Sequence, residues 1–287
     1  MKSNQMKRIT KMSETNLIMW KKGECSFIRW LRKGKSHNNN KLIMMQGITG
    51  SAKSYSAITK ASEFDPEFDV KQVAFTFKEF MEIITSDWFM KKKYKVIVFD
   101  EPQISISNRN WQSLANKLMN YLLSTFRSDQ IVVFFVAPYK TFLDSQSMKL
   151  VHVVMTTQGI DRKKNLAHIK FSIEQYNPDM DKFYHHSLYV LRNGVYNKLN
   201  SLYIKLPRKD LIDEYEKRKK KFNDGLKVDI LNQINKIEGK VKEKSEPNAE
   251  CSACNHKWHT KSNYKRIRCP SCASTKIVVV NTISAPL

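Results

Sequence analysis

Long apolar runs are missing from this chain. The longest, Ile131 to Ala137, falls far short of the ~20 residues that a membrane-spanning helix needs, so no membrane span is expected. The basic N-terminus contains no continuous apolar stretch ahead of a small-residue cleavage site, which argues against a secretory signal. Acidic residues are scarce, with 27 Asp and Glu against 50 Lys and Arg and a net charge of +23. Such an imbalance points to a polyanionic partner, either nucleic acid or an anionic membrane surface. The alternative is a lysine-rich composition that serves solubility alone. Only five cysteines occur in 287 residues, and four of them stand as two CxxC pairs. That pattern excludes a disulfide framework and points to metal in a reducing, cytoplasmic setting. Apolar residues make up 41%, enough for one large domain with a small appendage.

The segment Leu42-Ile-Met-Met-Gln-Gly47-Ile-Thr49-Gly50-Ser51-Ala52-Lys53-Ser54 carries the most information. An apolar run enters a glycine-containing turn that ends in Lys-Ser, the layout of a strand, a phosphate-binding loop and a helix N-terminus. Backbone N–H groups from Gly47 through Ser54 are expected to hold a β-phosphate. Lys53 would reach the β- and γ-phosphates, and the Ser54 hydroxyl would ligate Mg²⁺. One position departs from the usual G-x-x-x-x-G-K-[ST] pattern: Ala52 replaces the second glycine. Its methyl group is tolerable if φ is negative there or if the loop relaxes.

A second segment, Tyr94-Lys-Val96-Ile97-Val98-Phe99-Asp100-Glu101, reads as a buried strand that delivers two acids to its C-terminal edge. Asp100 is expected to hold the Mg²⁺ shell through water, and Glu101 to act as general base on the attacking water. These two motifs, in this order and with a strand–helix unit between them, predict an ATP-binding site.

The rest of the pattern predicts an α/β fold: a P-loop NTPase with a mainly parallel sheet flanked by helices, a charged helical segment and a small C-terminal zinc ribbon. Residues 1–40 form a basic arm in which Trp20, Phe27, Ile28, Trp30 and Leu31 make an amphipathic patch. Residues 41–206 form the ATPase domain, 207–248 a charged helical linker and 249–287 the ribbon. Within the domain, Ser54 to Ala61 reads as the P-loop helix, Val70 to Phe77 as a strand and Lys78 to Thr85 as an amphipathic helix. Further on, Trp111 to Phe126 reads as a helix, and Ile131–Ala137, Leu150–Met155, Ala167–Ile173, Leu188–Leu191 and Leu202–Leu206 as strands. Asn193-Gly194 marks a turn.

Near the C-terminus, Cys251-Ser-Ala-Cys254 and Cys269-Pro-Ser-Cys272 are separated by fourteen residues. Two such knuckles supply four thiolates, a closed tetrahedral shell for structural Zn²⁺. His256 and His259 are taken as surface residues, and Cys25 as a packed or free thiol. Lys257, Lys261, Lys265, Arg266 and Arg268 lie between the ligands with Trp258 and Tyr264. This mixture suits phosphates and stacked bases; the alternative is a folding staple that also binds a protein partner.

An extra strand after the acids, and Glu101 beside Asp100, point to the additional-strand, catalytic-glutamate division of P-loop ATPases. No Asn-Lys-x-Asp motif is present, which argues against a GTPase. The runs Phe99-Asp-Glu-Pro-Gln103, Arg109-Asn-Trp111, Thr125-Phe-Arg127 and Phe142-Leu-Asp-Ser-Gln146 resemble the Zot-like branch of the HerA–FtsK superfamily over roughly residues 40–160. Those ATPases serve phages, archaeal viruses and mobile elements as DNA-pumping or virion-assembly motors, usually as rings. The resemblance implies ATP hydrolysis with Mg²⁺, a homo-oligomer and a nucleic-acid partner, expected to be double-stranded DNA. It also implies a catalytic set of Lys53, Glu101 and Arg127, with Arg127 as the finger that reaches a neighbour's γ-phosphate. Arg109 is a second candidate, and either arginine could instead contact DNA. Ala137 and Pro138 stand where relatives carry a polar sensor, a departure that bears on hydrolysis rate rather than on nucleotide binding. An alternative reading is a non-motor, nucleotide-binding DNA-binding protein with a degenerate P-loop.

Overall fold

The computed structural model describes residues 16–36, 40–101, 129–139, 145–243, 249–258 and 268–279. They fall into two compact units, Met1–Lys220 and Lys221–Leu287.

The first unit is built on a seven-strand path. β1 (Leu17–Met19) and α1 (Ser26–Ser36) precede β2 (Lys41–Gln46), α2 (Lys53–Phe64), β3 (Val73–Ala74), α3 (Phe77–Thr85), α4 (Asp87–Met90) and β4 (Val96–Asp100). β5 (Val132–Ala137), α5 (Ser145–Lys149), β6 (Val153–Asp161), β7 (Leu166–Asn177), β8 (Lys182–His186), β9 (Leu188–Arg192), β10 (Val195–Leu199), β11 (Ser201–Lys205) and the first part of α6 (Lys209–Glu243) follow. The strand order is β11-β7-β6-β2-β5-β4-β3, with β8 paired to β7. β6, β2, β5, β4 and β3 are mutually parallel. The strand that ends at Gln46 is therefore separated from the strand that ends at Asp100 by one intervening strand, β5.

Every residue of β4 and β5 is buried, as expected of parallel strands covered on both faces. On one face Leu42, Met44, Ile97, Phe99, Val133 and Phe135 pack with Phe80, Ile83 and Phe89 from α3 and α4. The other face carries α2, which lies against β4 and β5 through its buried Ala57, Ile58, Ala61 and Phe64. Of the amphipathic N-terminal patch, Phe27, Ile28, Trp30 and Leu31 are in the core while Trp20 is exposed, and Phe27 meets Phe171 edge-on at 5.2 Å.

The sheet is mainly parallel, as the pattern predicts, from β6 through to the β3 edge, and turns antiparallel at its other end, where β7 opposes β6, β11 and β8. Residues 162–165 and 178–181 are too short to make the crossover of a dozen or more residues that a parallel neighbour requires. Two strands that the apolar pattern leaves out are present. β8 is exposed throughout and β10 almost so, so neither carries the alternation that marks a half-buried strand. β9 and β10 are joined by Asn193-Gly194, both at positive φ, as this dipeptide predicts. Finally, only Val73–Ala74 of the expected Val70–Phe77 strand is extended. Asp69 and Gln72 form a capping box around a 3₁₀ turn at Val70–Gln72, and Thr76 and Glu79 form another that starts α3. These side chains take the backbone groups that a longer strand would have needed. The expected helix Trp111–Phe126 lies outside the described residues.

In the second unit, β12 (Ala249–Cys251) pairs antiparallel with both β13 (Lys257–Trp258) and β14 (Ile277–Val279).

Candidate nucleotide site and metal centre

The loop after β2 is braced by hydrogen bonds from backbone and side chains. Gly47 donates its N–H to the Pro138 carbonyl at 3.0 Å and sits at φ +150, where an added Cβ would lie 1.8 Å from Thr157 Oγ1. That Thr157 hydroxyl donates to Ser51 Oγ at 2.7 Å, and Ser51 Oγ in turn donates to the Ile48 carbonyl at 2.6 Å. Lys53 folds back over the loop, its Nζ donating to the same Ile48 carbonyl at 2.7 Å. Desolvation lowers the pKa of Lys53 and Lys219 lowers it further, while Asp100 and Glu101 pull it the other way. A cavity of about 340 Å³ opens beside the start of the loop, bordered by Gln46, Gly47, Pro138, Tyr139, Thr157 and Gln158.

Ala52 takes the N-cap position of α2 at φ 62, ψ 26, in the left-handed region. The negative φ that would have suited its methyl group is not adopted, so the loop keeps the glycine-type conformation and carries the strain, ~1–2 kcal/mol for an L-residue. No side chain caps the helix and no acid lies in its first turn. Its leading N–H groups thus face outward with the positive end of the helix dipole, the arrangement that receives a phosphate.

β4 brings the acids to this helix. Ser54 Oγ donates to Asp100 Oδ1 at 2.9 Å, although 46 residues separate them and β5 lies between their strands. Asp100 is fully buried. Glu101 follows at φ 54, its N–H donating to the Val136 carbonyl at 2.9 Å. This is an α/β fold with the layout of a P-loop: a buried parallel strand, a loop and a helix N-terminus, with an acid-bearing parallel strand one place removed in the sheet. The Ser54 hydroxyl and Asp100 fit the hydroxyl-plus-carboxylate donor set that Mg²⁺ takes beside a phosphate.

No family model and no curated protein matches the chain. Among solved structures it is similar to the N-terminal domain of zonular occludens toxin from Neisseria meningitidis. The identity there is 15% over 52% of this chain and 94% of that one, with a TM-score of 0.30. It is also similar to a KaiC-like protein from the hyperthermophilic archaeon Pyrococcus horikoshii OT3. There the identity is 12% over 55% of this chain and 89% of that one, with a TM-score of 0.28. Likenesses so distant do not bear on chemistry, and the fold assignment rests on the strand order and the loop contacts.

Two residues of the site carry no signature in the sequence. Tyr215 and Lys219, one turn apart on α6, both reach Asp100. Tyr215 OH donates to Oδ2 at 2.5 Å and Lys219 Nζ to the same oxygen at 3.0 Å. Lys219 Nζ also lies 3.5 Å from Glu101 Oε1 and donates to Tyr215 OH at 3.0 Å. Burial and the neighbouring carboxylate push the Tyr215 phenol far up, which keeps its proton. Desolvation opposes the charge on Lys219, but Asp100 and Glu101 outweigh it and raise its pKa. The i, i+4 spacing of Tyr215 and Lys219 was readable, but in a helix this charged it marks no particular target. Arg127 and Arg109 lie outside the described residues.

In the second unit the four cysteines converge. Cys251 and Cys272 sulfurs are 3.6 Å apart, as are those of Cys254 and Cys269, and all four lie within 4.8 Å of one another. A tetrahedral Zn²⁺ with ordinary Zn–S bonds spaces its sulfurs by about 3.8 Å. The two knuckles repeat one turn. Asn255 and Ala273 donate back to the carbonyls of Cys251 and Cys269 at 2.8 and 2.9 Å, and both sit at φ 56. The residues present therefore fit structural Zn²⁺. His256 stacks on Trp258, away from any ligand role. His259, Lys261, Tyr264, Lys265 and Arg266 are outside the described residues.

Proposed function

We propose that this chain is an ATPase that couples hydrolysis to the movement or packaging of DNA, acting as a homo-oligomer. The observation that supports a hydrolytic site is the Ser54–Asp100 contact at 2.9 Å, which joins the phosphate-binding helix to the acid-bearing strand. Loop N–H groups and Lys53 bind the triphosphate. Ser54 and Asp100 would hold Mg²⁺, whose charge would offset that of the phosphate oxygens. Glu101, half-exposed at the strand end, takes the proton of the attacking water. Arg127 from a neighbouring copy supplies the remaining positive charge, an effect worth roughly 10³- to 10⁵-fold in rate where such fingers act. The +23 net charge supports a DNA partner, and the zinc ribbon is a second candidate contact.

Glu101→Gln is expected to retain ATP binding and lose turnover, and wild-type turnover in that variant would refute the base assignment. Double-stranded DNA is expected to stimulate hydrolysis with a steep fall as salt rises, measured as steady-state phosphate release. Stimulation that is absent, or flat with salt, would favour the second reading: a nucleotide-binding, non-motor DNA-binding protein. The apolar end of β5, Ala137 and then Pro138, is the observation on its side.

A further inference from the structure

The acid pair already has a cation. Asp100 Oδ1 accepts from Ser54, and Oδ2 accepts from Tyr215 and Lys219. With no exposed surface of its own, Asp100 has three donors and no free edge. The Lys219 ammonium bridges Oδ2 of Asp100 and Oε1 of Glu101 at 3.0 and 3.5 Å. That is the space beside Ser54 from which a divalent ion would have to be held. Around it the charges already balance: two carboxylates, Asp100 and Glu101, face two ammonium groups, Lys53 and Lys219, which lie within Coulombic reach of both.

We propose that Lys219 is a tethered counter-cation of the acid pair. It keeps a divalent metal from settling on Asp100 and Glu101 alone, so that metal enters only together with a triphosphate. The reason is electrostatic. A bare divalent ion would bring two positive charges into a neutral, partly buried site, whereas the same ion with its triphosphate brings net negative charge that both lysines can meet. Loading then requires the ammonium to leave Asp100 Oδ2 for a phosphate oxygen, within reach of its four-carbon stem. Tyr215 is the positioning partner. Its buried hydroxyl accepts from Lys219 and donates to Asp100, which fixes where the ammonium rests. The site thereby becomes selective for the metal–nucleotide pair over free metal.

This inference rests on the acid pair serving a nucleotide-linked metal, and its test separates the two ideas. Mn²⁺ alone is titrated into the full, zinc-loaded chain and followed by electron paramagnetic resonance, with the nucleotide analogue ATPγS then added. Wild type is expected to bind free Mn²⁺ weakly. Lys219→Met, which keeps the stem and removes the charge, is expected to bind it at least about tenfold more tightly. Lys219→Arg restores a cation and should return to wild-type behaviour, a rescue that a packing role alone would not give. Equal or weaker Mn²⁺ binding in Lys219→Met than in wild type overturns the proposal. If Lys219→Met does not fold, wild type decides. Mg²⁺ alone should leave its thermal unfolding unshifted while Mg²⁺ with ATPγS raises it, and a rise with Mg²⁺ alone overturns the proposal. Failure of every form to retain ATPγS would refute the nucleotide reading and leave the free-metal comparison intact.

Discussion

Two alanine–glycine exchanges five positions apart in the loop between β2 and α2 are expected to act in opposite directions. Ala52 sits at φ 62, where an L-residue costs ~1–2 kcal/mol. Glycine there removes that strain but adds back backbone entropy in the unfolded chain, ~0.4–1 kcal/mol. Ala52→Gly should therefore stabilise by about 0.5–1 kcal/mol, a rise in Tm of roughly 1–4 °C for a unit of this size. Gly47→Ala meets the opposite situation. Its new Cβ would lie 1.8 Å from Thr157 Oγ1 and 3.0 Å from Ser51 Oγ. Thr157 is poorly placed to yield, since its hydroxyl is bonded to Ser51 at 2.7 Å and to the Gln46 carbonyl at 3.4 Å. Overpacking costs ~1–3 kcal/mol and a displaced hydrogen bond ~1 kcal/mol, so the loss should reach about 2–4 kcal/mol. Calorimetric melting of both variants reads the signs directly. Thr157→Ala in the Gly47→Ala background removes the atom responsible and should recover ~1 kcal/mol. A destabilised Ala52→Gly, or a Gly47→Ala that melts with wild type, would refute this description of the loop.

The remaining predictions concern other parts of the chain. His152 accepts a hydrogen bond from the Leu42 N–H at 3.2 Å, and burial, aided by Lys41, pushes its pKa down to about 4. Because the unfolded chain takes up that proton first, the stability held by neutral His152 is complete above its ordinary pKa of 6.5 and is lost as pH falls through 4, ~3 kcal/mol in all. Urea unfolding across that window should show the loss, and an unchanged slope in His152→Gln would refute the assignment. Metal analysis should find one zinc per chain, lost in Cys269→Ser, and an unaltered ratio in that variant would exclude the four-cysteine site.

The parts of the fold that could be read from the sequence are those where burial is complete. β4 and β5 are unbroken apolar runs because helices cover both faces, and the order of loop, strand and acids is enough to place Ser54 near Asp100. The two CxxC pairs were equally plain, since four soft ligands at that spacing have few other uses. What escaped was long-range or polar in origin. Whether β7 runs parallel or antiparallel depends on turn length, and the apolar pattern of its interior is compatible with both. The Val70–Phe77 segment alternates as a strand would, yet Asp69 and Thr76 capture its backbone by bonds that hydrophobic periodicity does not register. Tyr215 and Lys219 were hidden for a third reason. α6 is so rich in charge that no single lysine stands out, and only packing against β4 selects one of them.

Backbone strain locates the chemistry without any appeal to motifs. Among the described residues, eight that are not glycine have positive φ. Four are Asn165, Asp181, Asn193 and Asn255, whose short polar side chains tolerate the left-handed region in turns. The other four, Ala52, Glu101, Gln130 and Ala273, have no such excuse. Gln130 sits in the turn that enters β5. The remaining three end the loop between β2 and α2, follow the buried Asp100 and complete the second cysteine knuckle. Strain of this kind persists only where surrounding contacts over-determine it. At Ala52 those contacts are Lys53 on the Ile48 carbonyl and Ser56 N–H on the Ala52 carbonyl. At Glu101 they are the Val136 carbonyl and Lys219. Helix α2 adds an uncapped N-terminus, and β4 adds a carboxylate with no exposure. A chain selected for stability alone would relieve each of these departures by one substitution. The coincidence of Ala52, Glu101, the uncapped helix start and the buried Asp100 just beyond the C-terminal ends of two parallel strands is the physical argument that this edge of the sheet works on a ligand.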